Sequence, residues 1–324
     1  MAVPGRGMGA SRPAVYIAFL LTTVAVAALY SIRADGAFAC QANGYGPDRY
    51  LAYCNVDGYG EYDHGALWFD LEPKARTAAR QADVVFLGNS RQQFAFSTSA
   101  TADWFKAQSM PYYLLGFSEN ERYHFEEQVM HRIGVQPAAY VINVDGFFEE
   151  SESVSASLVM HDDDARGRID RKRVWQQLHQ PVCTAAPAVC GRAYAIFRSR
   201  DTGAWKRAGV MSGGKKATSE DAAVEEERVD RQSTSARIML GRLPVLPECT
   251  ILTFVPTVDG RRATAAAIAE AVGRDFIAPS LDGLLTFDGS HLDEPSAERW
   301  SAAFFEEAGP RIAKCLAARP RASS

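Results

Sequence analysis

The chain has 324 residues, 47% of them hydrophobic and 23% charged, with a net charge of −4. That is the balance of a globular protein, with room for one large domain with insertions or two small ones. The net negative charge excludes the basic surface of a nucleic-acid partner. No Gly-x-Gly-x-x-Gly or Gly-x-x-x-x-Gly-Lys-Ser/Thr run is present to hold a dinucleotide or a nucleotide phosphate.

The first element is the uncharged run Ala14 to Tyr30 (AVYIAFLLTTVAVAALY), preceded by Arg6 and Arg12. It reads as a transmembrane anchor or a signal peptide, with the arginines favouring a cytoplasmic N-terminus. Its 17 residues are at the short end for a bilayer span. Ala37-Phe38-Ala39 offers a cleavage site, but it lies well past the apolar run, with Arg33 and Asp35 between. The preferred expectation is therefore a retained anchor within residues 1–31 and a domain in the periplasm or extracellular space. Secretion after cleavage is the alternative, and either way the rest of the chain is exported.

Residues 32–81 form a lead-in. Its 31–62 stretch is rich in Gly, Tyr, Asp and Asn and reads as irregular, pinned by Cys40 and Cys54, and Leu71 to Gln81 is helical in composition. A main domain is expected over 82–318. Ala82 to Leu87 is a short apolar run closed by Gly88, the pattern of a buried parallel strand. A helix over Thr98 to Gln108, a strand over Tyr112 to Leu115 ended by Gly116, a helix over Glu119 to Ile133 and a strand over Ala138 to Val144 follow.

Residues 146–245 interrupt this alternation and read as an insertion. It holds an acidic turn at His161 to Asp164, a helix over Arg171 to His179, and a polar stretch, Ser212 to Asp230, expected as a mobile loop or solvated helix. Thr250 to Val255 resumes as a strand and Arg262 to Val272 as a helix. Leu284 to Phe287 leads into Asp288, and Ser296 to Ala317 is an amphipathic helix before a tail at 319–324. Alternating strands and helices imply an α/β fold with a parallel sheet covered on both faces. Ligands of such sheets lie beyond the carboxyl ends of the strands. Ser90, Gly116 and Asp145 each follow a predicted strand, which puts them around one crevice.

Six cysteines, Cys40, Cys54, Cys183, Cys190, Cys249 and Cys315, are an even set for an exported chain and imply disulfides. Proximity pairs Cys40 with Cys54 and Cys183 with Cys190, leaving Cys249 with Cys315. No Cys-x-x-Cys pair or histidine at finger spacing points to a metal, and no cofactor is implied.

Two short motifs carry chemistry. Val84-Val85-Phe86-Leu87-Gly88-Asn89-Ser90-Arg91 ends an apolar run in Gly-Asn-Ser, and Asp288-Gly289-Ser290-His291 sets a carboxylate three residues from an imidazole. A serine hydroxyl becomes nucleophilic when an imidazole takes its proton and a carboxylate fixes that ring. Ser90, His291 and Asp288 are the candidate nucleophile, base and orienting carboxylate.

Gly-Asn-Ser after a first strand and Asp-x-x-His near the C-terminus resemble the SGNH/GDSL hydrolase superfamily over roughly Asp83 to Cys315. The resemblance implies a three-layer flavodoxin-like sandwich around a parallel sheet, and acyl transfer by an esterase or O-acyltransferase. It also implies an oxyanion hole made by the backbone N–H of Ser90, the N–H of Gly116 and the side chain of Asn143. The third block departs from the family's Gly-x-Asn-Asp: it reads Asn143-Val144-Asp145-Gly146, with a carboxylate at the loop position. Gly-Asn-Ser-Arg behind a membrane segment looks like envelope SGNH-like proteins of polysaccharide O-acetylation. The implied substrate is an acylated carbohydrate, and the implied partner a membrane-bound O-acyltransferase. Arg91 is a candidate for binding a substrate carboxylate or phosphate. A scaffold that binds a glycan or such a partner without turnover is the alternative.

Overall fold

A computed structural model describes residues 11–34, 38–118, 120–209, 214–218 and 223–318. Arg6, Ala37, Glu119, the tail at 319–324 and parts of the polar 212–230 stretch lie outside these residues.

The apolar N-terminal run lies in helix α1 (Ser11–Ala34). Among the described residues no helix is long and apolar enough to cross a membrane, so the expected transmembrane span does not appear as one. The lead-in is more regular than expected. Strands β1 (Arg49–Cys54) and β2 (Gly60–Glu61) pair antiparallel, and α2 (Asp63–Trp68) and α3 (Pro73–Gln81) follow. Pro73 starts α3 where its missing N–H removes no helical bond.

Next come β3 (Val84–Leu87), α4 (Ser90–Phe96), α5 (Ser99–Ala107), β4 (Tyr112–Leu114), α6 (Tyr123–Ile133) and β5 (Ala139–Asn143). Side chains place the helix starts: Asn89 accepts from the Arg91 N–H and Thr98 from the Thr101 N–H. The 146–245 stretch supplies α7 (Val154–His161), α8 (Ala165–Ala185), β6 (Ala195–Ser199), β7 (Trp205–Ala208), the two-residue β8 (Lys215–Lys216) and α9 (Glu226–Leu240). The chain ends with β9 (Thr250–Thr253), α10 (Arg262–Ala271), β10 (Asp275–Phe276), β11 (Leu285–Thr286) and α11 (Glu294–Ala318).

Five strands form a parallel sheet in the order β10-β9-β5-β3-β4. Counted within this sheet alone, the order is that of a doubly wound sheet whose switch point lies between β3 and β5. Alternation along the strands divides the core. Val84, Phe86 and Val141 face a cluster with Phe96, Phe105, Trp300 and Phe304, from α4, α5 and α11. Val85, Leu87 and Ile142 face a second cluster with Ala79, Val129, Met239 and Ile268, from α3, α6, α9 and α10.

The lead-in and the 146–245 stretch are not separate additions. They combine into an antiparallel sheet, β2-β1-β6-β7, with Leu51 opposite Phe197. The reading of residues 31–62 as irregular is corrected by this pairing. Of the polar 212–230 stretch, the described residues hold β8 and the largely exposed first turn of α9; α9 then runs on to Leu240 and buries Gln232, Ser233, Ser235 and Ala236. Three disulfides close the chain: Cys40–Cys54, Cys183–Cys190 and Cys249–Cys315. Such bonds persist in oxidising compartments, which fits a domain outside the cytoplasm.

Candidate active site

Ser90 opens α4 immediately beyond β3, across Gly88 and Asn89. Gly88 has φ +148°, and a Cβ there would stand 3.0 Å from Asn143 Cβ and 3.1 Å from Gln92 Cβ. Glycine alone fits this approach of the nucleophile turn to the end of β5. Gly116, after β4, is equally confined: a Cβ would lie 2.6 Å from the Gly88 carbonyl oxygen.

Asp288 and His291 come from a tight turn after β11, where Gly289 takes φ +94°. Asp288 Oδ1 accepts from the Ser290 and His291 N–H groups at 2.8 and 2.9 Å, which winds the turn around the carboxylate. Its Oδ2 lies 2.7 Å from His291 Nδ1, and His291 Nε2 lies 2.7 Å from Ser90 Oγ. Three side chains from two distant segments thus form one continuous relay. Burial alone pulls the Asp288 pKa up, but the hydrogen bonds from His291 and the two backbone N–H groups outweigh it and hold it down at about 2. Phe94 meets the His291 ring edge-on at 5.0 Å, and Phe287 stacks on it at 5.4 Å. These contacts fix the plane of the imidazole.

Arg91 ties the two halves together. Its Nε donates to Ser290 Oγ at 2.8 Å, and its Nη1 pairs with the Asp145 carboxylate. From the sequence alone Asp145 is a lone carboxylate at the loop position, where its charge would repel an oxyanion. In the fold that charge is matched by Arg91, and the Asp145 carbonyl also accepts from Asn89 Nδ2 at 3.0 Å. Arg91 is therefore first a brace.

Asn143 is not placed as the sequence expects. It is the last residue of β5, fully buried under the Gly88 turn, and its Oδ1 accepts from the Val255 N–H at 3.2 Å. Its Nδ2 has no partner. An amide sealed in this way does not open onto the crevice beside Ser90.

Two contributors were not singled out from the sequence. Ser290, within the second motif, anchors Arg91. Glu126 is fully buried on α6, and its carboxyl oxygens take the Gly88 N–H at 3.0 and 3.3 Å, directly behind the nucleophile turn. Burial, followed by the charge of Glu121, raises its pKa well above the ordinary carboxylate value. The available signal was a carboxylate on the apolar stripe of a helix, in line with Tyr123, Val129 and Ile133.

The site opens at the surface: the His291 and Asp288 side chains are 17% and 25% exposed. A cavity of about 550 Å³ lined by Leu246, Asp275, Arg311 and Lys314 lies instead beside Cys249–Cys315, before β9 and so at the opposite end of the sheet. Of the possible metal ligands, His179, Cys183 and Cys190 come together among the described residues. The two thiols are joined as a disulfide, and His179 is held by Tyr45 and the Cys40 carbonyl. Compared with protein-family models, curated proteins and solved structures, the chain matches none.

Proposed function

We propose that this chain is an SGNH-type serine enzyme that transfers acyl groups from ester bonds outside the cytoplasmic membrane. The observation that carries the reading is the relay Asp288–His291–Ser90, with both contacts at 2.7 Å. Ser90 Oγ attacks the ester carbonyl while His291 Nε2 takes its proton. Asp288 holds the opposite ring nitrogen and stabilises the imidazolium. His291 then gives the proton to the leaving alcohol, and an acyl-Ser90 intermediate remains. A second hydroxyl, deprotonated by His291, releases the acyl group and restores the serine. The backbone N–H groups of Ser90 and Gly116 are the oxyanion donors in this scheme.

The acceptor is water in an esterase and a sugar hydroxyl in an O-acyltransferase. An open site suits a bulky substrate, in keeping with acylated envelope or exopolysaccharide glycans. Helix α1 serves in this proposal as a tether: Ile17, Phe19, Leu20 and Leu21 are each about 60–70% exposed, and nothing among the described residues covers them. A membrane-bound O-acyltransferase is the proposed partner if the acyl group is passed on.

A fluorophosphonate probe tests the reading, because it reacts with an activated serine. The expected result is labelling of the full chain, lost in Ser90→Ala and in His291→Ala. A folded wild-type protein that stays unlabelled sinks it. The second reading, a scaffold that binds glycan without turnover, draws on the sealed Asn143 amide, which leaves no third oxyanion donor from β5. A folded protein that binds an acetylated glycan yet stays unlabelled would favour it.

A further inference from the structure

Three of the apolar side chains left exposed on the domain line up on one helix. On α8, Val174, Leu178 and Val182 are 56%, 61% and 37% exposed, and their spacing of four aligns them along one side of the helix. The surface continues through the exposed run 185–188 into a short 3-10 turn, Pro187–Val189, which Cys183–Cys190 fastens to the helix. The other side of α8 is already committed. Gln176 is buried and bonds both the N–H and the carbonyl of Leu51, at 3.1 and 2.8 Å. The stripe therefore faces outward because the opposite side is locked inward.

The same helix receives the chain as it leaves α1. The Phe38 ring stacks on His179 at 5.8 Å, and the Phe38 carbonyl accepts from the Gly191 N–H at 2.6 Å. Cys40 bridges to Ala193, and its carbonyl meets His179 Nε2 at 3.2 Å. From Ala34 to Phe38 the chain reaches at most about 14 Å. α1 also touches the 187–189 turn. Whatever layer holds α1 thus lies within a few residues' reach of the stripe.

We infer that the outer side of α8 and the 187–189 turn rest on the surface of the bilayer that holds α1. The inference rests on the tether proposed above, and the partner it names is lipid. Exposed Arg171 and Arg192 flank the apolar stretch in sequence and supply cations for lipid phosphates, as on an interfacial helix. The docked domain also keeps its site near the membrane. Ala193 precedes Tyr194, which is in electrostatic reach of Asp288 and Arg207, and Arg207 stands 4.1 Å from the Phe287 ring beside His291. Trp205 of the same sheet packs on Phe94, which meets His291, so anchorage and relay adjoin one sheet.

The test places the full chain in phosphatidylcholine vesicles doped with a phosphatidylcholine bearing a diazirine near the carbonyl end of one acyl chain. After illumination, peptides from α1 and from 174–189 should both carry lipid. The triple variant Val174→Glu, Leu178→Glu, Val182→Glu should keep its melting temperature and the α1 label, and lose the 174–189 label. Label confined to α1 in the wild type overturns the inference. Label at 174–189 with none on α1 would sink the tether and leave the lipid-facing surface standing; no label on either removes both.

Discussion

At the scale of single residues, the relay is held by contacts that differ in what they tolerate. Asp288 stays ionised down to about pH 2, so loss of activity at any milder acidity has another source. Because its folded pKa is depressed, its contribution to stability is present above the ordinary carboxylate range and fades as pH falls toward 2. Asp288→Asn should lower kcat by about 10⁴ through loss of the correct imidazole tautomer, with the melting temperature little changed. Steady-state kinetics on an acetyl ester checks this.

Arg91 makes a sharper case. A lysine keeps the charge and cannot bond Ser290 and Asp145 from one planar fork. Arg91→Lys and Asp145→Asn should therefore both reduce kcat, since each loosens the turn that carries His291. A rise in activity in Asp145→Asn would mean that the carboxylate acts as a repelling charge after all. Asn143→Ala should act on stability instead. It leaves the buried Val255 N–H without its acceptor and costs about 1–3 kcal/mol, read by denaturant unfolding.

At the scale of elements, what the sequence could say depended on how local the cause was. β3 and β5 are short, apolar and buried on both faces, so composition alone marks them, and Ser90 is found at the end of the first. The cap at Thr98 is equally local. β1 is different: Arg49–Cys54 becomes a strand because it pairs with Ala195–Ser199, some 140 residues later, and nothing within either segment announces the other. α9 was obscured for another reason, since it buries Gln232, Ser233 and Ser235 where a helix ordinarily buries aliphatic side chains. Of the site, the relay was legible because its motifs are short and contiguous. The fate of Asn143 was not, because one residue of strand length decides whether its amide reaches solvent or lies sealed under Gly88. Gly88→Ala tests that packing. With a Cβ about 3 Å from two neighbours, the turn must shift, and fluorophosphonate labelling of Ser90 should fall more than overall stability does.

At the scale of the molecule, charges are buried behind the site between the two sheets. Arg198 is fully buried against Asp63 at 2.8 Å and also donates to the Leu114 and Gly116 carbonyls. His64 lies between Glu121, at 2.6 Å, and Glu61, at 3.3 Å. Burial disfavours its charge, but the two carboxylates prevail and raise its pKa to about 10. A raised folded pKa gives stability that is complete below about pH 6.5 and is lost as pH climbs through about 10. The melting temperature should fall across that window in the wild type, and His64→Gln should flatten the slope. A wild-type curve that rises toward pH 10 would contradict the assignment. Of the disulfides, Cys249–Cys315 spans 66 residues and Cys183–Cys190 only 7. Chain entropy assigns them about 4 and about 2 kcal/mol, so removal of the longer bridge should lower stability more.

The Ser90–His291 contact spans 201 positions. Two side chains so far apart, the nucleophile and base of the proposed mechanism, cannot meet until nearly the whole chain has emerged and β9, the Asp288 turn and α11 have docked. Long-range contacts of this kind form late, and the N-terminal part of a chain folds first. A polypeptide still threading through an export channel carries Ser90 with no base beside it. On the proposed mechanism such a chain is silent toward esters, and reactivity begins only once the C-terminal turn has docked.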